Sequence, residues 1–168
     1  MAVRHRLIRA SPQAVWAVLA DGTRYAQWVV GTAASQPARG RWPQVDSTIR
    51  FEVRLGPFRL ADETVVRHCE EESVLELEAH AGRLGTARIA VELRPWGPYS
   101  LVIVDEHPLQ GAAGVLHNVG VEVLIQLRHR AMLARLARLA RLARLARLAR
   151  LARLARLCEA DGDRRPGD

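Results

Sequence analysis

The sequence predicts an α+β fold, a curved antiparallel sheet around a long C-terminal helix, and three observations carry that expectation. Between Ser47 and Asp105 apolar residues recur with a period of two, in runs separated by short turns. From Leu116 onward the apolar period becomes helical. Only short helical stretches precede the strand-rich region, so the sheet has to bury its apolar face against that last helix. A chain of 168 residues with 49% hydrophobic content fits one domain whose core needs no disulfide or metal.

Taken in order, Val3 to Arg9 alternates as a short strand. Ser11-Pro12 then opens a helix, because serine caps well and proline suits the first helical position. Ala14, Val15, Val18 and Leu19 give that helix an apolar face, Trp16 lies beside it, and Asp21-Gly22 stops it. A second helical turn carries Tyr25 and Trp28. Val29-Val30 leads into a stretch rich in Gly, Pro, Ala and Ser up to Trp42-Pro43, which reads as a strand end and a loop. Ile49, Phe51, Val53 and Leu55 alternate with Arg50, Glu52 and Arg54; Gly56-Pro57 turns into a strand from Phe58 to His68. Ser73 to Ala79, Ala87 to Arg94 and Leu101 to Asp105 complete a meander, with a turn at 82–85 and Glu70-Glu71-Glu72 as a solvated loop. Leu116, Val119, Val123 and Leu127 form the stripe of the final helix.

Every one of the 25 basic residues is arginine, and the net charge is +7. Ten arginines and only four acids lie from Leu133 onward, so the body is close to neutral and presents no basic nucleic-acid face of its own. Cys69 and Cys158 are far apart and in no C-x-x-C pattern, which excludes a disulfide framework and a zinc site. The N-terminus runs into charged residues without an apolar segment, and the expected location is cytoplasmic. Leu133 to Arg156 is eight uninterrupted Leu-Ala-Arg triplets. These are strong helix formers, expected to prolong the long helix to Asp161-Gly162. At 3.6 residues per turn each leucine is displaced by about −60° from the last, so no face stays apolar over the whole run. Three readings of the run stand open: an expanded repeat tolerated as helix, a cationic helix for an anionic membrane surface or nucleic acid, and self-association through exposed leucines. The expected organisation is a ligand-binding domain over 1–138, a repeat extension over 139–158 and a disordered tail over 159–168.

The blocks Ala10-Ser11-Pro12 through Val15-Trp16, Val18-Leu19-Ala20-Asp21, Tyr25 with Trp28-Val29, Arg41-Trp42-Pro43, Asp62-Glu63-Thr64 and Leu116-His117-Asn118 resemble the START and Bet v 1-like superfamily, in particular its bacterial polyketide cyclase/dehydrase and lipid-transport branch. The resemblance covers roughly residues 3 to 135. It implies a helix-grip fold enclosing an apolar cavity, with a hydrophobic small molecule of lipid or aromatic polyketide type as partner. No cofactor is implied. In some relatives histidines follow the Trp-Pro loop; here Ser47-Thr48-Ile49-Arg50-Phe51 stands there, which sets aside any chemistry tied to them.

Trp28, Trp42 and Phe51 are the expected aromatic lining. Val53, His68, Leu77 and Val91 from the strands and Leu116, Val119 and Val123 from the helix complete it. His5, His68 and His117 are the polar residues expected to point inward and the weak candidates for acid–base chemistry. Two functions compete: carriage of an apolar molecule, expected of a purely apolar lining, and a cyclase/dehydratase-like enzyme, expected of polar groups converging inside.

Overall fold

The computed structural model describes residues 2–55, 58–80, 86–110 and 119–162. Strand β1 (Ala2–Ile8) is followed by α1 (Pro12–Leu19), a 3-10 turn (Gly22–Arg24) and α2 (Tyr25–Trp28). Six strands come next: β2 (Thr32–Arg39), β3 (Thr48–Leu55), β4 (Phe58–Glu70), β5 (Val74–His80), β6 (Thr86–Trp96) and β7 (Tyr99–Gln110). Helix α3 (Val119–Gly162) closes the described chain. The strands form one antiparallel sheet in the order β1-β7-β6-β5-β4-β3-β2.

Local chemistry explains the helical hairpin that leads into the sheet. Ser11 caps α1 by accepting from the Ala14 amide at 3.3 Å, with Pro12 at the first helical position. Asp21 caps the 3-10 turn through the Thr23 amide at 3.1 Å. Gly22 lets this turn approach the sheet, since a Cβ there would meet Trp42 at 3.2 Å and Ile49 at 3.3 Å.

Two differences from the sequence-based expectation concern strand limits. The stretch expected to be mostly loop holds an eight-residue strand, β2, on the edge of the sheet. An edge position tolerates Pro37, whose nitrogen has no hydrogen to donate, and lets Ala33, Ala34 and Gln36 face water. Strand β7 runs past Asp105 to Gln110, paired with β6 along its length. The expected turns at 56–57 and 82–85 lie outside the described residues, as do 163–168 of the expected disordered tail.

The core is one cluster joining three layers. Ile8 and the α1 residues Val15, Val18 and Leu19 meet the inner sheet residues Ile49, Val66, Leu75, Leu77, Ile89, Val91, Val102 and Val104. Met132, Leu133, Leu136, Ala137 and Ala140 of α3 cover them. Helix α3 packs against α1, β1 and α2. Beyond Ala143, its described side chains from Arg144 to Arg153 are all exposed.

Candidate functional site

The short α2 helix places Tyr25 at the centre of an aromatic cluster. Its ring meets Trp28 at 5.4 Å and Trp42 at 6.0 Å in edge-on geometry, and Phe51 at 6.4 Å. Such arrangements put the positive ring edge against a negative face. Tyr25 and Trp28 are buried, while Trp42 and Phe51 are half-buried. The Trp42 indole N–H donates to the Leu19 carbonyl at 2.9 Å. The Trp28 Nε1 atom is buried with no hydrogen-bond partner among the described residues.

The Tyr25 hydroxyl shares a buried hydrogen bond of 2.8 Å with Thr64 Oγ1 of β4. Burial pushes its pKa up to about 12, against the Thr64 hydrogen bond and the charge of Arg128, with Glu106 adding to the rise. The charges of the helix residue Arg128 and the strand residue Glu106 therefore both reach this phenol.

Those two charges belong to a second polar centre. On the inner face of the sheet, a cross-strand row runs Glu106, Ile89, Leu77, Val66. Glu106 is thus a carboxylate at the end of an apolar row, and it is 6% exposed. A buried charge has to be paired to persist there, and α3 supplies the pairing. Arg128 Nη2 spans both carboxylate oxygens at 3.1 and 3.0 Å, and His129 Nε2 lies 2.6 Å from Oε2. Burial would raise the Glu106 pKa, but the His129 hydrogen bond and the charges of Arg128 and His129 outweigh it and hold the carboxyl below its usual range. His129 is fully buried, and its Nδ1 has no hydrogen-bond partner among the described residues. That Nδ1 is an acceptor in a neutral ring bonded through Nε2–H and a donor in the imidazolium.

Two of the three histidines expected to point inward, His5 and His68, do not. His5 lies on the exposed face of β1 with Val3 and Leu7, which are 49% and 46% exposed. The register sets this: Arg4 and Arg6 pair with the buried Val104 and Val102, so the even positions of β1 share the inner face. His5 instead lines an open groove of about 460 Å³ along the β1 edge, with Arg130 and Leu133 on its far side. His68 is also exposed and hydrogen-bonded to Glu70 at 3.0 Å. A register shift between Val66 and His68 breaks the alternation that would have turned it inward. Leu77 and Val91 are core residues in the sheet floor, and Val53 is half-buried. Leu116 and His117 lie outside the described residues. Val119 and Val123 are on α3, whose side chains are described from Arg128 to Arg153. Among the described residues, no three His, Cys, Asp or Glu side chains are grouped to hold a metal ion. No described helix is long and apolar enough to cross a membrane.

A family model described as polyketide cyclase / dehydrase and lipid transport matches residues 2–148. This chain belongs to that family. Solved structures share the helix-grip fold of the START and Bet v 1-like superfamily. A protein from Nitrosomonas europaea, NE0264, superposes with a TM-score of 0.69 at 10% identity, over 86% of this chain and 96% of its own. Ara h 8.0201 gives 0.66 at 10% identity, over 83% and 95%. The Zhui aromatase/cyclase from Streptomyces sp. R1128 gives 0.63 at 13% identity, over 83% and 92%. No curated protein matches the chain in sequence.

Within this family member, the residues that sequence reasoning missed are Glu106, Arg128 and His129, together with the Tyr25–Thr64 pair. Signals for them existed. Glu106 keeps the parity of Val102 and Val104, and His129 stands three and four residues before Met132 and Leu133, on the helix's buried face.

Proposed function

We propose that this domain binds an aromatic or polycyclic apolar molecule that carries an oxygen function, in the space between the sheet and α3. The observation that supports this reading is the meeting of two groups in one interior: the Tyr25, Trp28, Trp42 and Phe51 rings, and the Glu106–Arg128–His129 triad, buried at Glu106 and His129, whose Glu106 and Arg128 charges reach the Tyr25 hydroxyl. The rings suit a flat apolar body. Trp28 Nε1 and His129 Nδ1, buried and without a partner among the described residues, suit an oxygen that can accept from one and donate to the other.

Titration of the protein's tryptophan fluorescence with naphthalene and with 1-naphthol tests it. The naphthol is expected to bind about tenfold more tightly, the scale of one hydrogen bond to a charged or buried partner. His129→Leu is expected to erase that preference while naphthalene binding persists. Equal affinities for the two probes in the wild-type protein would sink the reading.

A second reading, a cyclase- or dehydratase-like enzyme, is favoured by one feature, the unpaired His129 Nδ1 backed by a carboxylate on Nε2. An imidazole so oriented can take a proton from an enolisable carbon or hydroxyl. In that reading the acid–base role falls to His129 rather than to the exposed His5 and His68. Turnover of a poly-β-carbonyl substrate that His129→Gln abolishes, with binding retained, would select it.

A further inference from the structure

The projecting part of α3 has a surface that the interior site does not use. Leu145, Leu148 and Leu151 are 62%, 51% and 53% exposed. Arg144, Arg147, Arg150 and Arg153 are exposed among them, and no acidic residue occurs between Glu122 and Glu159. Averaged over all 44 residues of α3, leucine and arginine point in every direction. Over three triplets they do not. At about 100° per residue, Leu145 and Leu151 sit about 60° to either side of Leu148. Arg147, Arg150 and Arg153 lie about 100°, 160° and 140° away, whereas Arg144 lies about 40° away, inside the arc at its inner end. The segment is therefore locally two-faced, with an apolar arc about 120° wide backed by guanidinium groups.

We propose that the segment from Leu145 to Arg153 is an interfacial anchor that lays this leucine arc into an anionic lipid bilayer. A bilayer surface accepts both halves of the surface: leucine enters the boundary between headgroups and acyl chains, while arginine pairs with lipid phosphate. A nucleic acid would neutralise the arginines but leave the leucines in water. A second copy of the helix would cover leucines but set arginine against arginine, and the drift of the leucine row prevents a sustained seam. The same helix carries Arg128 and His129 against Glu106. Anchoring it would tether the interior site about 30 Å from the anchor as measured along the helix axis, at 1.5 Å per residue. The inference stands independently of which molecule the interior takes.

Flotation of the full-length protein with vesicles tests it. The protein is expected to float with phosphatidylglycerol vesicles at low salt, to be released as salt is raised, and to stay behind with phosphatidylcholine vesicles. Combining Arg147→Gln, Arg150→Gln and Arg153→Gln should lower partitioning by about a hundredfold, roughly fivefold per residue. Combining Leu145→Gln, Leu148→Gln and Leu151→Gln should also lower it at constant charge, and circular dichroism should remain that of the parent for both variants. No flotation with phosphatidylglycerol, or undiminished flotation of the leucine variant, would overturn the proposal. So would binding to duplex DNA tighter than to the vesicles and unchanged in the leucine variant, which would assign the segment to nucleic acid.

Discussion

Two stretches of α3 are built from the same triplet and differ completely in burial. Leu133 and Leu136 are 3% and 2% exposed; Leu145 and Leu148 are 62% and 51% exposed. The difference lies in where the body stops accepting leucine. The face of α3 turned to the sheet is fixed, while each successive leucine rotates away from it by about 60°. After Leu136 the alanines of the repeat take over that face, with Ala137 and Ala140 buried and Ala143 half-buried. Next in line on the same face is Arg144, four residues beyond Ala140, whose guanidinium reaches the Arg9 carbonyl at 3.5 Å. An arginine cannot fill a core position, so packing ends there. A repeat out of step with the helix thus sets its own docking length, and composition alone does not reveal where burial ends.

Substitutions along the helix can break or sharpen this contrast. The largest effect is expected for Leu136→Ala, which empties a fully packed site and should cost about 3 kcal/mol in urea unfolding, with little change in the slope. An effect below about 1 kcal/mol would mean that the docked half is not docked.

Glu106→Gln comes next, at about 2 kcal/mol, because it leaves Arg128 and His129 facing the interior without their counter-charge. The same carboxylate predicts a pH dependence. Its pKa in the fold is held below the usual 4.5, so its contribution is present above that value. The contribution is lost as pH falls through the lower, folded value. Unfolding measured from neutral to acid should show this loss in the parent protein and a flatter profile in Glu106→Gln. Identical profiles would mean that the triad does not hold the helix. The smallest effect is expected for Leu148→Ala, under about 0.5 kcal/mol in the same urea assay, since its side chain has little packing to lose.

The layout of the sheet and its covering helix was legible because it rests on periodicity. Alternation at Ile49, Phe51 and Val53 and at Ile89, Val91 and Leu93 needs only the strand's period of two. Trp28, Trp42 and Phe51, singled out as aromatic lining, meet around Tyr25. The polar centre was not legible in the same way. Glu106 falls one residue beyond the strand expected to end at Asp105, and only its pairing with β6 places it inside. His129 is a single polar residue on an apolar helix face, and a partner 23 residues away leaves no local mark on either. The outward direction of His5 and His68 is not legible from alternation within a single strand. The register against β7 and a bulge in β4 set it.

The pairing of β1 with β7 has a further consequence for how the protein is made. Ile8 is partnered by Ser100, so β1 leaves the ribosome about 90 residues before its neighbour β7. At a synthesis rate of about 5–20 residues per second, that wait is on the order of ten seconds. Throughout it, β1 lacks its β7 partner and the inner face of the growing meander lacks helix α3. The nascent chain depends during that interval on whatever shields apolar surface in the cell, and closure comes only when its final third has emerged.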